Sequence, residues 1–144
     1  MCGRYTLIRL ADFTDMFPWI RGPELAPPPR YNIAPSHAVA VVANDGRSRI
    51  DFFQWGLIPS WAKDPAIGSN LINARAETLA EKPAYRSAFK RRRCVVPASG
   101  FYEWKRGPDA KSKTPMYIHR ADGKPMGGDA AAFTEPRGMA TREA

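Results

Sequence analysis

Residues 37–59 read HAVAVVANDGRSRIDFFQWGLIP, and the two halves of this stretch decide the class of fold. The first half is a valine-rich run that ends in the turn residues Asn44, Asp45 and Gly46. The second, RIDFFQWGLIP, is the β-branched and aromatic run that returns from the turn, so the stretch predicts a β-hairpin. Downstream, residues 94–107 (CVVPASGFYEWKRG) and 114–125 (TPMYIHRADGKP) predict a second pair of strands. Upstream, residues 4–20 predict an entry strand and a short helix, with Leu10, Phe13 and Phe17 on one face and Pro18 closing it. The segment RGPELAPPPRYNIAPS (21–36) carries too many prolines for a helix or a central strand. Residues 61–93 begin as loop and predict two short helical stretches separated by Pro83. Strands outnumber helices and no internal repeat is visible, so the expected class is α+β with mostly antiparallel sheet.

A chain of 144 residues with 44% hydrophobic residues has the length of one domain and the material for a core. No apolar run approaches a membrane span, and the opening MCGRYTLIRLADF lacks the apolar core of a signal peptide. A cytoplasmic, nucleoid-associated protein without membrane contact is expected. In that reducing setting a Cys2–Cys94 disulfide is not expected, and two cysteines with two histidines do not make a spaced metal site. Neither metal nor cofactor is expected.

Ile118 is the last Ile, Leu or Val, so the closing 26 residues offer almost nothing for a core position. The sequence therefore predicts a domain over residues 1–125 and a disordered tail over 126–144.

Net charge is +8, and all of the excess falls between Glu81 and Lys124, where 12 Lys and Arg stand against 4 Asp and Glu. The densest part, Lys90 to Arg93, is either a solvated helix end or a contact for nucleic acid.

The opening MCGRYT places one of the two cysteines directly behind Met1. Removal of Met1 leaves Cys2 as a 1,2-aminothiol, whose amine can condense with an aldehyde while the thiol attacks the imine to close a thiazolidine. Chance also places cysteine second in a chain. Trp55 and Trp61 flank a Gly and a Pro, ordinarily a core or lid arrangement; the alternative is that Trp61 offers a flat face to an unstacked base. Asn73, Arg75 and Glu77 fall on a turn, where an Asn beside an Arg suits a sugar oxygen and a phosphate as well as it suits capping. Glu103 lies among Phe101, Tyr102 and Trp104, a setting for a general acid or base, though an isolated strand glutamate more commonly faces water. His37 and His119, without a motif, read as surface or satisfied histidines.

Taken in order, MCGRYT, RYNIAPS, WGLIPSWAKD, NARAET and RRRCVVPASGFYEWK resemble the SRAP family, the SOS-response-associated peptidase domain. The resemblance implies a barrel-like domain and a DNA-damage function. Cys2, freed of Met1, would trap the ring-opened aldehyde of an abasic site in single-stranded DNA as a thiazolidine crosslink, with autoproteolytic release of Met1 as the associated thiol peptidase, hydrolase or lyase-like activity. Asn73 would hydrogen-bond the reacting sugar or imine, and Glu103 would move protons. Arg75 would hold a phosphate, Trp61 and Pro35 would sit against bases, and Arg4 and Asn32 would complete the DNA contact. The protein would act as a monomer.

The chain departs from the pattern after GKPM. The family's later block, a His before Arg-Met-Pro, has no counterpart here, and His119 has the wrong neighbours for that role. The departure predicts a truncated or frame-shifted member, lacking its C-terminal strands and slowed by the loss of a proton-transfer partner. A noncovalent single-stranded DNA-binding module and an inactive fragment are the alternatives.

Overall fold

The computed structural model describes residues 3–22, 27–109, 112–130 and 133–134. Among the described residues nine strands form two antiparallel sheets. The first holds β1 (Arg4–Leu7), β2 (Arg30–Ile33), β6 (Gly100–Arg106) and β7 (Lys113–Ile118) in the order β2-β1-β6-β7. The second holds β3 (Ala38–Ala43), β4 (Ile50–Trp55), β5 (Cys94–Ala98), β8 (Met126–Ala130) and β9 (Phe133–Thr134) in the order β8-β5-β3-β4-β9. Among the described residues neither sheet closes on itself, so the expected barrel-like domain is a pair of open sheets sharing one core.

The hairpin that the opening stretch predicts is β3–β4, in register from Ala38↔Gln54 to Val42↔Ile50. Gly46, with φ of 80°, and Ser48, with φ of 52°, supply the left-handed residues in its turn. Val39, Ala40, Val41 and Val42 are all buried, because β3 is central in its sheet and covered on both faces. The helix α1 (Leu10–Met16) turns Leu10 and Phe13 into the core beside Tyr5, Leu7 and Ile33, and Phe17 packs against it from the edge. Burial of side chains of this size stabilises by about 1.5–3 kcal/mol each. Among its described residues the proline-rich segment contributes β2, an edge strand where a missing ladder bond costs least, and a single bridge from Arg21 to Arg49.

Three expectations are corrected. CVVPASGFYEWKRG is two strands in different sheets, parted at Ser99, whose backbone N–H donates to the Thr6 carbonyl while its hydroxyl accepts from the Ile8 N–H. Between Trp61 and Pro83 there is no α-helix. Residues 65–70 form a 3₁₀ turn capped by the Asp64 carboxylate, residues 76–85 are turns, and only α2 (Arg86–Arg91) is helical. Finally, strand structure does not stop at residue 125. β8 pairs with β5 from Ala98↔Met126 to Cys94↔Ala130, and β9 pairs with β4 at Trp55↔Phe133. The physical reason is that β5 and β4 offer open backbone donors and acceptors that a strand satisfies whatever its side chains are. The rest of the expected tail lies outside the described residues.

Candidate functional site

β1 begins at Arg4, two residues after Cys2, which lies outside the described residues. Arg4 is exposed, and its Nη1 donates to the Asn32 Oδ1 at 2.7 Å, joining β1 to β2 across the outer face of the first sheet. On the other side of β1 runs β6, with Arg4↔Tyr102, Tyr5↔Phe101 and Thr6↔Gly100 in register. Glu103 is therefore the next residue of β6 past the last pair, at the end where the chain enters β1. Strand alternation puts Glu103 on the face of Phe101, which packs against the core, and there it is half-buried opposite Met116 of β7. The opposite face carries Tyr102 and Tyr117, 5.2 Å apart, and the Tyr117 hydroxyl shares a 2.9 Å hydrogen bond with the buried Thr6 hydroxyl.

Trp55 gathers the neighbouring loops to this end. Its ring meets Tyr5 edge-on at 5.7 Å, and its indole N–H donates to the Ile72 carbonyl at 2.9 Å. Its backbone carbonyl accepts from the Ser36 N–H at 2.8 Å and its backbone N–H donates to the His37 carbonyl at 3.0 Å. Ser36 is held at φ of 71°, a left-handed conformation that costs a non-glycine residue about 1–2 kcal/mol and sharply turns the loop that carries Pro35. Trp55 thus ties β1, the Pro35 loop and the loop entering Asn73 into a single unit.

Asn73 has a second tether. The Tyr85 hydroxyl donates to the Asn73 carbonyl at 2.8 Å, and burial pushes the Tyr85 phenol up from its ordinary pKa, so it stays a neutral donor. Tyr85 belongs to a small apolar cluster with Leu57 and Ala88, against which Leu71 and Ala74 pack on either side of Asn73. That cluster closes because Gly56, at φ of 128°, lets the Gly68 carbonyl approach where no β-carbon fits.

Of the expected site residues, the fold brings Arg4 to Asn32 directly, sets Glu103 at the end of β1, and carries Pro35 and Asn73 there through Trp55. Trp61 and Arg75 are exposed and, among the described residues, make no side-chain hydrogen bond or ion pair, and no contact ties either to the other expected site residues. Both histidines are in ordinary surface roles. The His37 Nδ1 meets the Arg30 Nη2 at 2.9 Å and the Ala34 N–H at 3.3 Å, and His119 stacks on Tyr117. Sequence reasoning missed Tyr85, a lone tyrosine in a loop with no periodicity to mark it. Trp55 was legible as a core residue but not as the joint of the site. Lys90, Arg91, Arg92 and Arg93 are exposed at the end of α2. Among the described residues no group of three His, Cys, Asp or Glu could hold a metal, and Cys94 is buried.

Fold and site together define an α+β protein of two open sheets that collects polar and aromatic groups around the start of its first strand. A profile of the family described as SOS response associated peptidase (SRAP) matches residues 1–136, so it takes in β8 and β9 as well. The chain belongs to the SRAP family. It is 47% identical over 123 residues to the abasic site processing protein YoqW of Bacillus subtilis, covering 82% of this chain and 54% of that protein. It is 34% identical over 136 residues to the abasic site processing protein YedK of Escherichia coli, covering 88% of this chain and 57% of YedK. A crystal structure of a Bacteroides thetaiotaomicron protein superposes with a TM-score of 0.76 at 24% identity, covering 89% of this chain and 58% of that one, a likeness of fold alone. The chain spans just over half the length of the curated relatives it matches.

Proposed function

We propose that this protein captures abasic sites in single-stranded DNA through Cys2. After hydrolysis of the Met1–Cys2 bond, the Cys2 amine adds to the aldehyde carbon of the ring-opened sugar and water leaves, giving an imine. The Cys2 thiolate then adds to the imine carbon and the nitrogen takes up a proton, which closes the thiazolidine. One water is released overall. Glu103 moves the protons, Asn73 hydrogen-bonds the sugar or imine, Arg75, Arg4 and Asn32 hold the strand, and Trp61 and Pro35 lie against bases. The protein acts as a monomer in the nucleoid-containing compartment, and the peptidase step is its own loss of Met1.

The observation that carries this reading is the β1–β6 register, which sets Glu103 beside the end of β1 that Cys2 leads into. That the relatives are abasic site processing proteins supports an abasic-site substrate.

Intact-protein mass spectrometry with a single-stranded oligonucleotide bearing one abasic site tests it. The expected species lacks Met1, gains the oligonucleotide less one water, and survives denaturation; Cys2→Ala does not form it. A chain that has lost Met1 yet gives no adduct overturns covalent capture and leaves noncovalent binding. An equal adduct with Cys2→Ala assigns the reaction elsewhere.

A further inference from the structure

Away from that site, a cleft of about 880 Å³ opens where the β3–β4 hairpin turns, lined by Trp19, Arg21, Arg47 and Arg49. A smaller cleft of about 280 Å³ adjoins it, sharing Trp19, Gly46 and Ser48 and ending at Arg93. Trp19 stands between the two, supported edge-on by Phe17 at 6.1 Å, with 56% of its surface exposed.

The arginines differ in their commitments. Arg47 closes onto Asp45 at 2.6 Å and Arg49 onto Asp51 at 3.2 Å, so both are largely neutralised. Arg21 and Arg93 make no ion pair among the described residues. Their backbones are fixed to the hairpin: the Arg21 N–H donates to the Ser48 carbonyl at 2.7 Å, its carbonyl accepts from the Ile50 N–H at 3.0 Å, and the Arg93 carbonyl accepts from the Asn44 N–H at 2.9 Å. Two uncommitted guanidinium groups therefore flank one open indole face on a rigid support.

We propose that this trench is a second binding site for single-stranded nucleic acid, with one base stacked on Trp19 and phosphates held by Arg21 and Arg93. An indole face takes an unstacked base of any sequence, and a guanidinium takes a phosphate in a bidentate fashion. A duplex hides its base faces, and an acidic peptide without aromatic residues has nothing to stack. The trench lies at the far end of the hairpin from Trp55, roughly 15–20 Å away at about 3.3 Å per residue. Contact there concerns any single strand and does not depend on capture chemistry at Cys2.

Fluorescence anisotropy of an intact, abasic-free 20-nucleotide strand over a NaCl series tests it. Trp19→Ala is expected to weaken binding about tenfold. Arg21→Glu with Arg93→Glu is expected to flatten the slope of log K against log salt by about 0.7 for each phosphate lost. Lys82→Glu with Lys124→Glu, an equal change of charge on exposed residues elsewhere, is the control and is expected to do less. Unchanged affinity in Trp19→Ala, an equal effect of the control pair, or displacement of the strand by polyglutamate at the same charge concentration would each overturn the proposal. Cys2→Ala is expected to bind this strand like wild type, so failure of covalent capture and failure of the trench are separately visible.

Discussion

A β-carbon on Gly56 would lie 2.6 Å from the Gly68 carbonyl oxygen, and the φ of 128° is itself closed to other residues. Gly56→Ala is therefore expected to cost about 2–3 kcal/mol, read as a lower urea midpoint, because neither the strand end nor the 3₁₀ turn has room to yield. Tyr85→Phe removes only the hydroxyl that holds the Asn73 carbonyl. Its expected cost is about 1 kcal/mol in stability, while the rate of adduct formation falls further than that loss explains, as measured by quenched time points with the abasic strand. These two residues show what a sequence reveals about a site and what it hides. Asn73 and Glu103 sit in blocks that resemble a family, so their candidacy was visible from residue type and neighbours. The groups that hold the Asn73 segment act through a backbone carbonyl and a missing side chain, and neither leaves a periodic trace.

Among the elements, β8 covers one edge of the second sheet. A chain ended after Pro125 leaves the β5 edge unpaired from Cys94 to Ala98 and is expected to melt earlier and less sharply by circular dichroism. Gly127 explains why this strand was not legible. A β-carbon there would sit 2.9 Å from Val95 Cγ1 and 3.4 Å from the Phe13 ring, so the position demands glycine for packing, and a glycine reads as loop. The β3–β4 hairpin was legible for the opposite reason, since its valine run and its turn chemistry agree with its tertiary place. Its turn also carries an acid-sensitive pair. Burial acts to raise the Asp45 pKa, but the backbone and side-chain hydrogen bonds from Arg47 outweigh it, and the net position is below 3.8. The pair's stabilisation is therefore present above that pH and lost as pH falls through the lowered pKa. Asp45→Asn is expected to lower stability at pH 7 by less than about 1 kcal/mol, because the pair is largely exposed, and to match wild type at the acid end of a pH series of melts.

For the molecule as a whole, the proposed affinity for single strands would draw on the +8 charge and so be largely electrostatic in origin. Log K is expected to fall linearly with log salt and to change little with base sequence, checked by anisotropy with several unrelated strands. Class of fold was visible at this scale because a hairpin and a second strand pair already demand an antiparallel core. How the strands divide was not, since nothing in the run from Cys94 to Arg106 marks Ser99 as the point where the chain changes sheets.

Cys94 is only 3% exposed, seated in β5 between β3 and β8. A thiol so placed meets an alkylating reagent only when the second sheet opens, because reaction needs both access and an ionised sulfur. The mass added at Cys94 over time is thus a clock for the opening of β5, and it needs no engineered label.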